Sequence, residues 1–379
     1  MPSSRVVIVG AGPGGAAAAI SLARRGVRNV TLIDRAHFPR DKTCGSAISP
    51  LGLRVLQSLG VDADVRRRAY PIHSLALTTP GGRRLTLRGG EAAVVLLRKD
   101  FDQLLVTRAQ DLGVQFRSGV QVSALIEDRG RVIGVRTGEE DVKADVVIVA
   151  DGAHSRFSRD QRPKQSLATI VGWWEDFAYD EGTIEMIFDR TLCPLYGWMF
   201  PETKSRVNIG IVVDGARAGT GGDLGSLRPV FQAFLDRHFR ARLTGARAVG
   251  RWSGHPIVHT VWPRAMSSPG VLFVGESARL TNAATGEGIY QAMQCGVLAA
   301  ETVADVDQGK THEATAWREY SRTCRRTFAA GFATGHLFRG AVRIGALDAV
   351  ARAYDHPSLR RMATWLIGSA LTASSVSEK

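Results

Sequence analysis

Short apolar runs, each closed off by glycine, proline or charge, set the rhythm of this chain. Arg5 to Val9 is β-branched and continuous, the pattern of a buried strand. A glycine-rich turn follows, then an alanine-rich helix over about Gly14 to Arg25 and a second short strand, Asn29 to Asp34. A β-α-β unit of about thirty residues opens a doubly wound fold. Leu51, Leu53, Val55, Leu56 and Leu59 mark a helix over Pro50 to Leu59. Leu75 to Leu87 alternates polar and apolar residues around Pro80-Gly81-Gly82, which predicts a hairpin. Lys99 to Leu112 reads as helix, and Val120 to Ile126, Arg131 to Thr137 and Val142 to Val149 as strands, the last fully buried.

From about residue 166 to 264 the pattern changes. Ala168 to Glu175, Thr183 to Asp189 and Arg206 to Val213 predict antiparallel strands rich in large side chains. Five of the seven tryptophans, Trp173, Trp174, Trp198, Trp252 and Trp262, fall in this segment. Val271 to Val274 is another buried strand, and a helix follows over about Thr285 to Val303. The remainder, 311 to 379, reads as helical with a polar tail after Ala373.

At 379 residues, two domains are the natural expectation. Hydrophobic content of 44% and charged content of 22% describe a globular chain with a core large enough to hold a ligand. The net charge of +13 fits attraction to a diphosphate substrate, an acidic carrier protein or an anionic membrane surface. The basic residues come in scattered groups, however, at Arg24-Arg25, Arg66 to Arg68, Arg83-Arg84, Arg325-Arg326 and Arg360-Arg361. Such scatter favours arginine spread over the surface and argues against nucleic acid. Cys44, Cys193, Cys295 and Cys324 show no C-x-x-C pair and no metal-ligand spacing, so no metal is expected. Few, widely spaced thiols suit a reducing cytoplasm. No run of 18 apolar residues is present and no cleavage site follows the first apolar run, so a cytoplasmic protein is expected.

Gly10-Ala11-Gly12-Pro13-Gly14-Gly15 is a G-x-G-x-x-G set between a strand and a helix. Gly10 permits the tight turn, Gly12 lets backbone approach a pyrophosphate, and Gly15 lets helix and strand pack closely. The helix N-terminus favours the pyrophosphate's negative charge. Asp34 stands 19 residues after Gly15, at the place for an acid that binds the adenosine ribose. Arg35 follows it as a further candidate, and Pro13 and Gly14 complete the turn. A dinucleotide is expected, and an acid at this position disfavours a 2′-phosphate.

Two later segments separate FAD from NAD. Val146-Val147-Ile148-Val149-Ala150-Asp151-Gly152-Ala153-His154-Ser155-Arg156 resembles the second signature of the p-hydroxybenzoate hydroxylase-type flavoprotein superfamily. Gly275-Glu276-Ser277-Ala278, with Gly286-Glu287-Gly288-Ile289, resembles the third. Arg98 with Asp102 looks like the superfamily's basic residue and acid between the first two signatures. Within the superfamily the chain resembles geranylgeranyl reductases and their digeranylgeranylglycerophospholipid reductase relatives. Pro39 to Pro50 carries their Cys44-Gly45 pair, which the resemblance places near the flavin. Tyr196-Gly197-Trp198-Met199-Phe200-Pro201 resembles their aromatic substrate-cavity motif, and Val207-Asn208-Ile209-Gly210 the strand after it.

The resemblance implies FAD held by Gly10, Gly12, Pro13, Gly14, Gly15, Asp34, Arg35, Cys44, Gly45, Arg98, Asp151, Gly152, Gly275, Glu276, Gly286, Gly288 and Ile289. It implies Cys44, Tyr196, Trp198 and Phe200 at the reacting end. Glu276 stands where the family has aspartate, so the ribityl contact shifts or runs through water. Ala284 stands where an asparagine-proline-leucine sequence is usual, which frees backbone beside the flavin.

Some residues have bland alternatives. Cys44 reads equally as a packed thiol; for Trp198 and Phe200 core packing is the alternative, and the motif match favours the cavity. His154 is expected on a solvent-facing turn, and His255 and His259, flanking Pro256, do not suit a helical metal pair. Gly219-Thr220-Gly221-Gly222 lacks a third spaced glycine and reads as a plain loop, so no separate nicotinamide domain is expected. Leu359, Met362, Trp365, Leu366 and Ala370 form a stripe that packs on the body or touches a membrane.

The resulting expectation is an α/β fold. A doubly wound, Rossmann-like FAD-binding domain spans 1–70, 92–165 and 265–310. An inserted antiparallel β-sheet substrate domain spans 71–91 and 166–264, and a helical C-terminus spans 311–379. The implied activity is FAD-dependent reduction of carbon-carbon double bonds in an apolar, prenyl-like substrate. Electrons would come from NAD(P)H or a reduced-flavin partner, with peripheral membrane or carrier-protein contact. The alternatives are a flavin monooxygenase of an aromatic or polyketide-like substrate, a halogenase, and a flavin-binding protein without turnover. The halogenase motif W-x-W-x-I-P is not matched, because Tyr196 and Phe200 replace its outer tryptophan and isoleucine.

Overall fold

The computed structural model describes residues 4–160, 165–215, 224–264, 266–356, 358–359 and 361. A six-stranded sheet forms the base of the α/β fold. Val271–Phe273, Val146–Val149, Val6–Val9, Val30–Asp34 and Gln115–Ser118 lie side by side and parallel, with Ser267–Ser268 antiparallel at the edge. Val6–Val9 and Val146–Val149 are buried at every position, as parallel strands covered on both faces require. The helices Pro13–Arg24 and Ile289–Asp307 cover this sheet together. They pack so closely that a Cβ on Gly296 would stand 2.2 Å from the Gly14 carbonyl oxygen.

The run Val142 to Val149, expected as one strand, is two. Asp141–Lys143 joins a three-stranded sheet with Val122–Asp128 and Arg131–Thr137, while Val146–Val149 enters the parallel sheet. Asp145 stands at the break, and its carboxylate accepts from the Arg5 backbone N–H at 2.8 Å and from the guanidinium at 2.9 Å.

The second large sheet has eight strands. Its order is Arg247–His259, Gln165–Glu175, Arg206–Asp214, Gly197–Pro201, Thr183–Ile187, Tyr70–Thr78, Arg84–Val95 and Ala47–Ile48. It is mixed rather than purely antiparallel, because Thr183–Ile187 pairs parallel with Tyr70–Thr78. Those strands are joined by a long connection, so no tight turn imposes an antiparallel pairing. A helix not anticipated from the sequence, Leu224–His238, packs on this sheet with the short helix Arg240–Leu243 after it. Leu227, Phe231, Phe234 and Leu235 repeat at helical spacing and are buried. Phe231 meets Trp174 and Trp252 at centroid distances of 6.3 and 4.8 Å.

The helices Glu313–Arg343 and Ala346–Tyr354 follow. Among the described residues no helix is long and apolar enough to cross a membrane. Leu359 is exposed; Met362, Trp365, Leu366 and Ala370 lie outside the described residues, as does Gly219-Thr220-Gly221-Gly222.

Candidate active site

The glycine turn at the end of Val6–Val9 is fixed by close approaches. Gly10 has φ of +99°, and a Cβ there would lie 2.4 Å from the Ala150 carbonyl oxygen. A Cβ on Gly15 would lie 1.9 Å from the Gly10 carbonyl oxygen, so helix and strand touch through this glycine. Gly12 has open space above it, the nearest atom being an Arg40 guanidinium nitrogen at 3.5 Å. Pro13 begins the helix, where its missing N–H is no loss, and no side chain caps the helix end. Free N–H groups there attract an anion. Asp34 accepts the Ala11 N–H at 2.7 Å and the Ala36 N–H at 2.9 Å, which pins its carboxylate beside the turn.

A cavity of about 420 Å³ runs from this cradle to the eight-stranded sheet. Gly10, Gly12, Pro13, Gly14, Asp34, Asp151, Gly152, Gly275, Glu276, Gly286, Gly288 and Ile289 line its α/β side. Leu75, Val171, Ile184, Met186, Tyr196, Trp198, Phe200, Val212 and Ile257 line the sheet side, with Cys44, Gly45 and Arg98 between. Of the residues expected at the cofactor, two lie off the wall. Gly15 is occupied in packing, and Arg35 is exposed because it follows the last inward residue of its strand. The donor set fits an adenine dinucleotide carrying an apolar ring system, and Thr281 Oγ1, on the cavity wall, is buried without a hydrogen-bond partner.

Both departures from the family pattern have a structural account. The longer Glu276 side chain reaches the sheet, where its Oε1 accepts the Val258 N–H at 3.0 Å. Backbone near Ala284 is held rather than freed. Buried Asn282 Oδ1 accepts the Ala284 N–H at 2.9 Å.

Cys44 sits in the middle of a polar cluster. Its Sγ accepts the Ser46 N–H at 3.3 Å, and Arg98 donates to it as well. Arg98 grips buried Asp102 with two bonds of 2.8 Å, and Arg40 reaches the same carboxylate at 2.9 Å. Burial, then Arg98, pushes the Lys42 amine down to about 8, with Glu276 opposing. Burial raises the Glu276 carboxyl, against the pull of Lys42. Burial, then Lys42, pushes His255 down to about 3, so this imidazole is neutral. Glu287 is raised by burial although Ser49 and Gln291 bond to it. The Tyr196 hydroxyl donates to the Thr285 carbonyl, and burial lifts it above the usual phenol range.

A buried network ties the sheet to the Cys44-Gly45 turn. Trp198 Nε1 donates to Asn208 Oδ1 at 2.8 Å, and Asn208 Nδ2 donates to the Gly45 carbonyl at 3.1 Å. Asn208 also donates to Glu202 at 3.1 Å, which accepts from Trp173 and pairs with Arg206 at 2.8 Å. His154 lies exposed on a turn, edge-on to His255 at 5.2 Å. His255 and His259 share a strand, not a helix. Sequence marks Asn208 only as a polar residue inside an apolar strand, and Glu287 and Lys42 only as members of longer motifs.

Residues 3–174 match the FAD binding domain family, and residues 90–305 match the FAD dependent oxidoreductase family. The digeranylgeranylglycerophospholipid reductase of Methanothrix thermoacetophila is 31% identical over 81% of this chain and 79% of its own length. The menaquinone reductase of Mycolicibacterium smegmatis is 31% identical over 82% and 78%. A geranylgeranyl bacteriochlorophyll reductase-like protein from Thermoplasma acidophilum has the same fold, with a TM-score of 0.82 and 21% identity over 99% of this chain and 94% of that one.

Proposed function

The chain belongs to the FAD-dependent oxidoreductases, and we propose that it reduces carbon-carbon double bonds of a polyprenyl substrate. The observation that carries this reading is one continuous cavity with a dinucleotide cradle at one side and an apolar, aromatic wall at the other. The relatives' names, a prenyl-lipid reductase and a menaquinone reductase, support the same substrate class.

FAD, when bound, supplies the hydride. Gly12, Pro13 and Gly14 would hold its pyrophosphate and Asp34 its ribose, with the Gly286–Gly288 turn as further cavity lining. Tyr196, Trp198 and Phe200, with Met186 and Val212, align an apolar chain and exclude water. Glu287 holds the proton destined for the second carbon at its carboxyl, because burial keeps that group protonated nearer neutrality. Reducing equivalents arrive from NAD(P)H or a reduced-flavin partner docking at the surface. The reaction proceeds in the cytoplasm, a reducing compartment suited to four unpaired thiols.

The test is anaerobic. Reduced holoenzyme is mixed with geranylgeranyl compounds, and the product mass is read. A gain of two hydrogens per reduced bond, coupled to flavin reoxidation, is the expected result. No reduced product without air, with a product that has gained oxygen once air is admitted, overturns the reading in favour of a monooxygenase.

A further inference from the structure

On the far side of the Cys44 segment lies a second cavity of about 320 Å³, which the reductase reading does not use. Lys42, Thr43, Cys44, Ser46 and Arg98 line both cavities. The second cavity is basic: Lys42, Arg98, Lys99, Arg206 and Arg251 line it, against Asp41 as its carboxylate. Arg98 is matched by Asp102, and Arg206 by Glu202. Lys42, Lys99 and Arg251 make no ion pair among the described residues. Cations gathered in a half-closed space repel one another; Asp102 and Glu202 offset two of them, while Lys99 and Arg251 lie exposed at the rim. Lys42 registers the strain, since burial and Arg98 push its amine down to about 8.

A second feature points the same way. The 14-residue helix Arg98–Asp111 begins at this cavity with Leu97, Arg98 and Lys99 on the lining. No side chain caps it, and while the Asp100 and Phe101 N–H groups bond the Leu97 carbonyl, those of Arg98 and Lys99 are left for a ligand. Unpaired cations and an open helix N-terminus together make a receptor for a compact, multiply charged anion.

We propose that this cavity is a subsite for a phosphoryl or pyrophosphoryl group of a phosphate ester. Because the two cavities adjoin along the five residues they share, one molecule can place a phosphorylated head here and its chain against Trp198 and Phe200. The phosphates of a nicotinamide dinucleotide present the same chemistry. Which of the two supplies the group rests on the reductase reading; anion binding itself does not.

The experiment uses the FAD-loaded enzyme, whose own pyrophosphate cradle is filled. Inorganic pyrophosphate is titrated calorimetrically into wild type and the Lys99→Glu/Arg251→Glu variant at constant ionic strength. Affinity at least tenfold weaker in the variant is expected, with flavin content and thermal midpoint retained. Equal affinity in both, or no binding to wild type, overturns the subsite. Dithionite-driven assays then assign the source. A tenfold rise in the ratio of KM for geranylgeranyl diphosphate to KM for geranylgeraniol assigns it to the substrate head. In a separate NADPH-driven assay, a rise confined to the KM for NADPH assigns it to the dinucleotide. If no prenyl compound is reduced while pyrophosphate binding still depends on Arg251, the reductase reading fails and the subsite stands.

Discussion

Asn208 donates its side-chain amide to the backbone carbonyl of Gly45 across 3.1 Å, joining a strand of the eight-stranded sheet to the turn that carries Cys44. The same side chain accepts from Trp198, so one fully buried amide sets both the aromatic wall and the thiol.

Replacing Asn208 with leucine leaves the Trp198 N–H and the Gly45 carbonyl without partners. Unmet buried groups of this kind cost about 1–3 kcal/mol each. Denaturant unfolding is expected to show that loss, and KM for the apolar substrate to rise more than flavin affinity falls. Unchanged KM with normal stability would remove Asn208 from the site.

Gly15→Ala drives a methyl group onto the Gly10 carbonyl, 1.9 Å from the Cβ position. The helix must shift from the strand, at a cost of about 1–3 kcal/mol, and the pyrophosphate cradle opens. The variant is expected to purify largely without flavin, read as a lowered ratio of 450 to 280 nm absorbance. Full flavin occupancy would show that the cradle tolerates the shift.

Glu287→Gln keeps shape and hydrogen bonding but removes the acid proton. Turnover of the double bond is expected to fall about 100-fold. In wild type the rate falls as pH rises through the raised pKa of Glu287, and the variant lacks this limb. A wild-type pH profile in the glutamine variant would assign the proton to another group.

His259 is held down to about 4 by burial and then by Arg339, from an ordinary value of 6.5. Between those values the unfolded chain binds the proton and the folded chain does not, so stability rises with pH there. It is lost as pH falls from about 6.5 towards 4, by about 3 kcal/mol. Glu276 and Glu287, raised by burial, act in the opposite sense. The difference between wild type and His259→Gln isolates the histidine. The variant's unfolding free energy should fall less steeply over this window. Parallel curves would show that His259 does not carry the dependence.

Features imposed by steric necessity were the most legible in the sequence. Gly10 and Gly15 follow from a turn with no room for side chains, and Asp34 from its place at a strand end. Arg35, just past the end of the strand Val30–Asp34, is exposed and off the cavity wall. The helix Leu224–His238 carries its own periodicity at Leu227, Phe231 and Phe234, which the surrounding strands obscured. The roles of Lys42, Glu276 and Asn208 were not legible, because each depends on partners far away in sequence. Lys42 is perturbed by Arg98, Glu276 is held by Val258, and Asn208 meets Gly45.

The contact between Gly14 and Gly296 also fixes an order of events during synthesis. Val274 and Gly296, which close over the glycine turn, are translated roughly 260 and 280 residues after it. At about 5–20 residues per second, the nascent turn waits on the order of 15–60 s for them. Meanwhile the whole eight-stranded sheet is translated. Flavin loading is therefore a late event in the life of the chain, and truncation before Gly296 leaves a polypeptide that carries the dinucleotide motif without a place to use it.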